Sequence, residues 1–186
     1  MNIEVEIKIK VDSLEEVKKK LSECGKLIKS IRQIDEYYIP CQRDFFANKP
    51  YPVEWLRLRI NPDKTIFEYD KSVNKRADGL QDYAEEYETE VSRPEELRKI
   101  LEFLDFKKVT TIDKQREYWD CGNFEVALDD IKGLGVFVEV EAKGDFKNAI
   151  EARKNCMEFS RILGVEVYGK DLIKKGYPEL LLEKMK

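Results

Sequence analysis

Ile3–Val11 reads IEVEIKIKV, and the fold follows from how this stretch is read: Ile3, Val5, Ile7, Ile9 and Val11 alternate strictly with Glu4, Glu6, Lys8 and Lys10. Side chains on a strand point alternately to opposite faces, so a period of two describes a β-strand with one dry and one charged face. A single strand of this kind fits any sheet whose polar side meets water. The pattern returns, however, with dense charge of both signs. In Glu54–Asn61 (EWLRLRIN), Leu56, Leu58 and Ile60 take one face and Arg57 and Arg59 the other. In Asp82–Ser92 (DYAEEYETEVS), Glu86, Glu88 and Glu90 share a face. Polar faces that met inside one closed sheet would line a wet, charged passage. The apolar faces would then point outward and need helices to cover them.

The segments between these strands supply such helices. Ser13–Glu16 (SLEE) reads as a capping box ahead of a helix carrying Leu14, Val17 and Leu21 and ending near Gly25. Lys26–Pro40 is a long β-rich run, Arg43–Pro52 has turn character, and Thr65–Val73 (TIFEYDKSV) forms a hairpin with Glu54–Asn61 through NPDK. Asn74–Gly79 (NKRADG) is a polar loop. Ser92–Glu95 (SRPE) reads as a second capping box, with Pro94 in the first turn of a helix through Leu97, Ile100, Leu101 and Leu104. Strands follow at Lys108–Asp120, Phe124–Asp129 and Gly135–Ala142. A long helix begins at Asp145, passes Ile150, Cys156, Phe159 and Leu163, and stops at Gly164. A short strand, Val165–Tyr168, precedes terminal helical structure.

Val11–Tyr38 parallels Val91–Trp119: a capping box, a helix, a long strand and an aromatic pair (Tyr37–Tyr38, Tyr118–Trp119) recur in the same order. The expected organisation is one domain over 1–186, built from two related halves, about 1–75 and 82–145, plus C-terminal helices. The fold class is α+β with an antiparallel barrel.

Composition narrows the chemistry. Hydrophobic residues make up 42% of the 186 and charged residues 39%, which describes a globular chain with an unusually charged surface or interior. A net charge of −4 argues against a general nucleic-acid binder. The four cysteines, Cys24, Cys41, Cys121 and Cys156, are scattered without CxxC spacing, and there is no histidine to complete a zinc site. No signal peptide or long apolar run is evident, so a reducing cytoplasm and no membrane association are expected. Chemistry must rest on carboxylates, Lys, Arg, Tyr and bound metal.

The charged positions sort into two sets. Glu4, Glu6, Glu86, Glu88, Glu90, Asp129, Glu139 and Glu141 are acidic; Lys8, Arg57, Arg59, Lys71, Lys114 and Arg116 are basic. Arg and Lys grip polyphosphate oxygens, Arg by bidentate forks. Carboxylates hold hard cations such as Mg²⁺ or Mn²⁺, which polarise a phosphoryl group and position an attacking oxygen. The plain alternative is ion-pair ladders across neighbouring strands, each worth little. Ladders explain the charge, but not its confinement to alternate positions on so many strands.

The ordered motifs resemble the CYTH family, also called the triphosphate tunnel metalloenzymes, which includes class IV adenylate cyclases, thiamine triphosphatases and inorganic triphosphatases. The ExExK pattern of that family stands here as Glu4-Val5-Glu6-Ile7-Lys8. The match continues through Leu56–Arg59, Lys71, Glu90, TIDKQREY (Thr111–Tyr118), ALDD (Ala127–Asp130) and GLGVFVEVEA (Gly133–Ala142). The resemblance implies an eight-stranded antiparallel barrel forming a tunnel, with helices packed outside. It also implies Mg²⁺ or Mn²⁺ on Glu4, Glu6, Glu139 and Glu141, assisted by Asp129 and Glu90. It further implies a triphosphate grip of Lys8, Arg57, Arg59, Lys71, Lys114 and Arg116. Glu4, Glu6, Lys8, Glu139 and Glu141 would then be catalytic. The terminal YPELLLEK (Tyr177–Lys184) is similar to a segment that lines one tunnel mouth, with Lys174 and Lys175 just before it placed to reach phosphates.

Two activities compete under this resemblance. Hydrolysis of tripolyphosphate, ATP or thiamine triphosphate is favoured because Glu139-Val140-Glu141 keeps both acids, as the triphosphatases tend to, and no histidine precedes ExExK, where bacterial cyclases often carry one. Conversion of ATP to cyclic AMP and pyrophosphate is the alternative, because TIDKQREY and GLGVFVEVEA are especially similar to class IV cyclases. A third reading is a non-catalytic binder of polyphosphate or nucleotide. Oligomeric state stays open, a homodimer being the commonest arrangement among oligomers.

Overall fold

The computed structural model describes residues 2–47, 52–73, 83–165, 167 and 172–185, with the side chains of 2–4 and 83 outside the description. The expected loop Asn74–Gly79, most of the Asn48–Pro52 turn cluster, and half of the expected strand Val165–Tyr168 lie outside the described residues.

The elements are β1 (Asn2–Glu4), β2 (Glu6–Val11), α1 (Glu15–Cys24), β3 (Lys26–Ile39), β4 (Glu54–Ile60), β5 (Thr65–Val73), β6 (Tyr83–Glu90), α2 (Pro94–Phe103), β7 (Lys107–Asp120), β8 (Phe124–Ile131), β9 (Gly135–Ala142), α3 (Ala149–Ile162) and α4 (Tyr177–Lys184). The fold is α+β with one nine-stranded sheet, ordered β1-β6-β5-β4-β3-β7-β8-β9-β2. The described ladders β2·β9, β3·β4, β4·β5, β5·β6, β7·β8 and β8·β9 are all antiparallel. The count is nine rather than eight because the N-terminal stretch is divided at Val5. Its two pieces take the first and last places in the order. The element series β2-α1-β3-β4-β5 recurs as β6-α2-β7-β8-β9.

The chain forms two compact units, and neither is a continuous segment. Unit 1 comprises Met1–Ile3, Arg32–Asp113 and Lys175–Lys186; unit 2 comprises Glu4–Ile31 and Lys114–Lys174.

In unit 1, the β4·β5 register sets Leu58 opposite Phe67 and Leu56 opposite Tyr69. Those residues pack with Tyr38, Phe45 and, from α2, Leu97 and Leu101 into one apolar cluster. Alternation sends Arg57, Arg59, Glu68 and Asp70 to the other face of the same strands. In unit 2, Ile7 faces Val140 and Ile9 faces Val138, while Val126 and Leu128 continue the row on β8. With Trp119 they form a core closed by Val17 and Leu21 of α1 and by Cys156 of α3 and Leu163 after it. Each sheet portion is therefore greasy where its helices lie and charged on its other side. The β8–β9 hairpin turns at Gly133 and Gly135, whose φ values of 83° and 100° are ones that side chains disfavour.

Helix starts depart from the sequence expectation. α1 begins at Glu15 with Leu14 at its cap, and Ser13 Oγ accepts the Glu15 N–H at 3.2 Å rather than serving a full capping box. Arg93, not Ser92, caps α2, and Pro94 opens its first turn. α3 starts four residues later than expected, because the Asn148 side chain accepts the Glu151 N–H at 2.9 Å, an N-cap more effective than Asp145 in its turn. Ile150, one of the apolar positions named on that helix, is 75% exposed.

Leu58→Ala should destabilise the protein by about 2–5 kcal/mol in urea unfolding, because the side chain is fully buried. Ile150→Ala should change stability by less than about 0.5 kcal/mol. Similar losses at both sites would contradict this placement of the core.

Candidate active site

Two clusters of charged side chains lie on the faces turned away from α1, α2 and α3, one in each unit.

In unit 2, the cluster follows from register. Glu6 stands opposite Glu141 and Lys8 opposite Glu139. On the neighbouring ladders Ala127 stands opposite Glu139 and Arg116 opposite Asp129. Small Ala127 leaves room between the larger groups, so Arg116 reaches across it. Its Nε donates to Asp129 at 2.6 Å, and its Nη2 bonds both Asp129 and Glu139. Lys8 Nζ lies 3.0 Å from Glu139 and 3.7 Å from Glu6. Asp129, Lys114, Glu139 and Arg116 are all buried.

Protonation follows from these contacts. Burial alone would raise the Glu139 carboxyl, but Arg116, Lys8 and Lys114 more than offset it and hold Glu139 well below the ordinary carboxylate range. The same pairing outweighs desolvation at Lys8 and at Arg116, raising both. Glu6 goes the other way. Loss of hydration, then repulsion from Glu139, pushes it up to about 7 despite Lys8 nearby. Unit 2 therefore contains one acid that its own cations leave under-compensated.

In unit 1, Arg59 grips Asp35 through two hydrogen bonds of 2.8 and 2.9 Å. Arg57 pairs with the buried Glu68 and donates to the Tyr37 hydroxyl at 3.4 Å. Cross-strand register places Asp70 opposite Glu86 and Glu68 opposite Glu88. Glu68, Asp70 and Glu86 each bring one carboxylate oxygen within 4.8 Å of the other two. Here acids outnumber cations, and the excess is carried as a proton. Burial, reinforced by Glu68 and Glu86 and resisted by Arg57, pushes Asp70 up to about 8. Burial also acts to raise Glu68, but Arg57 and Arg59 bring it below its ordinary value, so the proton rests on Asp70.

Among the other expected site residues, Lys71 lies on a different face. Lys71 stands opposite Glu54, on the face of β5 that carries Phe67 and Tyr69, and it is exposed. Alternation from Asp70 puts it on the wrong side to join Arg57 and Arg59. Glu90 is exposed at the end of β6, opposite Ile66. Both Asp129 oxygens are engaged by Arg116, so it orients the guanidinium rather than offering a vacant ligand. Glu141 is paired with Lys143 at 2.6 Å, and Lys175 with Glu183 at 2.6 Å. The Glu4 side chain lies outside the described residues.

Asp35, Glu68 and Asp70 were not among the residues expected from sequence. The signal for two of them was present: pairing TIFEYDKSV with EWLRLRIN about the NPDK turn sets Glu68 opposite Arg57. Asp35 depends on the β3·β4 register, across a long connection, where no local turn fixes the pairing.

Oxygen-only donors fit a hard divalent ion. Two observations agree. Glu68, Asp70 and Glu86 converge their carboxylate oxygens in unit 1, and in unit 2 Glu6 is starved of positive charge.

The CYTH domain family matches residues 2–177. MJ0240 of Methanocaldococcus jannaschii, whose name marks it as a candidate adenylate cyclase, is 34% identical over 181 residues, covering 96% of this chain and 98% of that one. Among solved structures, the PH1819 protein of Pyrococcus horikoshii is similar, with a TM-score of 0.81 and 28% identity, covering 97% of this chain and 99% of the other. HpAC1 from Hippeastrum, described as an adenylyl cyclase candidate with a dominant triphosphatase activity, shares the fold, with a TM-score of 0.65 and 14% identity, covering 99% and 96%.

Asp70 has a sign-definite effect on stability. Its folded-state value exceeds its unfolded one, so above about pH 4 the unfolded chain releases a proton that the folded protein keeps. In metal-free protein, stability should therefore fall as pH rises from about 4 to about 8 and then level off. Asp70→Asn, which cannot ionise, should lose less Tm than wild type over that interval. Parallel Tm–pH curves for the two proteins would rule this out.

Proposed function

Because the chain belongs to the CYTH family, we propose that it hydrolyses a triphosphate with the help of Mg²⁺ or Mn²⁺. Members of the family are metal-dependent enzymes that act on triphosphates as adenylate cyclases or triphosphatases. The observation that carries the proposal is the buried array of Lys8, Arg116, Asp129 and Glu139, placed on the face of unit 2 turned away from α1 and α3, where packing does not need it. Burying that many charges opposes folding unless something else requires them.

Lys8, Lys114 and Arg116 of unit 2 take the non-bridging oxygens of the phosphate chain. Each exchanges a carboxylate partner for a phosphate one. Asp129 keeps the Arg116 fork planar and aimed while Glu139 gives up its share. Glu6, Glu139 and Glu141, with Glu4, would hold the metal, which supplies a polarised phosphoryl oxygen and a more acidic water. Water attacks the terminal phosphorus in line, orthophosphate departs, and the cations neutralise charge growing on the leaving diphosphate oxygen. Lys71, exposed on the other face of β5, has no part in this assignment; Glu90, exposed at the end of β6, shares the face of Glu86 and Glu88 in unit 1.

The name of MJ0240 favours a second reading, in which the ribose 3′-hydroxyl of ATP attacks the α-phosphorus and pyrophosphate leaves. The two share a grip and differ in the nucleophile. Retention of both Glu139 and Glu141, and the triphosphatase activity described for HpAC1, support hydrolysis as the lead. Among the described residues, no helix is long and apolar enough to cross a membrane.

Purified protein incubated with tripolyphosphate, ATP or thiamine triphosphate and Mg²⁺ or Mn²⁺ should release orthophosphate, and EDTA should abolish the release. Glu139→Ala should lower kcat by roughly 100-fold or more while calorimetry still detects tripolyphosphate binding. Cyclic AMP and pyrophosphate as main products from ATP would establish the second reading. Tight binding without turnover across this panel would mean a binder rather than an enzyme.

A further inference from the structure

Cys24 and Cys121 are far apart in sequence, and the fold brings their thiols together. Cys24 is the last residue of α1 and is exposed; Cys121 follows β7 and is partly buried. The Cys24 thiol is near enough to Cys121 to raise it, while its own S–H donates to the Lys20 carbonyl oxygen at 3.2 Å. The approach is closest at Gly25, where a Cβ would stand 2.7 Å from Cys121 Sγ and 3.1 Å from the Asp120 carbonyl oxygen. A side chain there would crowd the Cys121 sulfur and two backbone oxygens, so Gly25 lets the end of the helix settle closely onto the end of the strand. Both chain ends are held in place: Gly25 donates its N–H to Leu21 at 2.7 Å, and Cys121 donates its N–H to Phe124 at 2.9 Å. The core beneath is anchored by Leu21 of α1 and Trp119 of β7.

We propose that Cys24 and Cys121 are a redox modification site that closes to an intramolecular disulfide when a low-molecular-weight disulfide such as oxidised glutathione is present. Cys24, the accessible member, attacks as thiolate and forms a mixed disulfide, releasing one small-molecule thiol. Cys121, recessed and already beside the Cys24 sulfur, then attacks that sulfur and displaces the second. Two S–H bonds are lost and one S–S bond is formed; the small disulfide takes both electrons and both protons and leaves as two thiols. Burial pushes the Cys121 thiol up to about 11, so it is a poor first attacker and depends on its proximity to resolve the mixed disulfide. The closed bond ties α1 to the strand that carries Lys114 and Arg116. Exposed Cys41 and buried Cys156 lie outside the pair.

The test is to titrate the reduced protein with oxidised glutathione, alkylate the remaining thiols and measure intact mass and peptides under non-reducing conditions. Wild type should lose two alkylatable thiols, lose the mass of two hydrogens and yield one linked peptide pair carrying Cys24 and Cys121. Its Tm should rise by roughly 5 °C or more over the reduced form, because the bond closes a long loop. Cys24→Ser should abolish the linked pair, and Cys41→Ser should leave it unchanged. Four alkylatable thiols after treatment, a stable glutathione adduct on Cys24, or disulfides formed only through Cys41 would each overturn the proposal.

Discussion

A guanidinium taken out of water must be met by carboxylates in good geometry, and Arg116 is the group on which this requirement falls most heavily. Two oxygens of Asp129 and one of Glu139 meet it, while Lys8 takes the remaining Glu139 oxygen. The array stays ionised because each charge has an opposite charge within bonding distance, which more than offsets desolvation. Four strands must be in correct register for that to hold, since Lys8 comes from β2, Glu139 from β9, and Arg116 and Asp129 from the β7·β8 ladder. A slip of one residue in any of them would turn these charges into the apolar core under α1 and α3. The charges therefore specify the sheet as much as the sheet presents them.

The two units solve the same problem with different balances. In unit 2, cations and acids interlock, and Glu6 is left short of positive charge. In unit 1, Arg57 and Arg59 face Asp35, Glu68, Asp70, Glu86 and Glu88, and neutrality is approached by retaining a proton on Asp70. The two units thus carry opposite chemistries: one rich in bonded cations, the other in acids that repel one another. A phosphate chain suits the first kind of surface, and a divalent ion or a cationic group suits the second.

How much of this could be read from the amino-acid order depends on how far apart the interacting residues are. Alternation alone identifies the faces of β2, β4 and β9, because a pleated strand has no other way to bury Ile7, Leu58 or Val138. It also predicts that Lys8, Arg57 and Glu139 sit opposite the helices. What alternation cannot give is the phase of one strand against the next. Lys71 was grouped with Arg57 by motif, although a single position separates it from Asp70, which does share that face. The Arg59–Asp35 fork is set by strands joined through a long connection, where no turn chemistry fixes the pairing. Helix starts failed for a local reason, since Ser13 and Ser92 stand just outside the first turns that their motifs seemed to cap. The proximity of Cys24 and Cys121 depends on a helix end landing on a strand end, which no spacing rule encodes.

The β2·β9 ladder also has a bearing on how the chain is made. Glu6 emerges from the ribosome early, yet its partner Glu141 follows only after most of the chain has been synthesised. Until then Ile7 and Ile9 have no sheet neighbour to cover them, and contacts of such long range are reached slowly because a large loop must first be closed. The charged residues between them, Glu6, Lys8 and Lys10, keep this waiting segment hydrated and poorly suited to pairing with copies of itself. The ionic face of this strand thus first serves as protection against aggregation during synthesis.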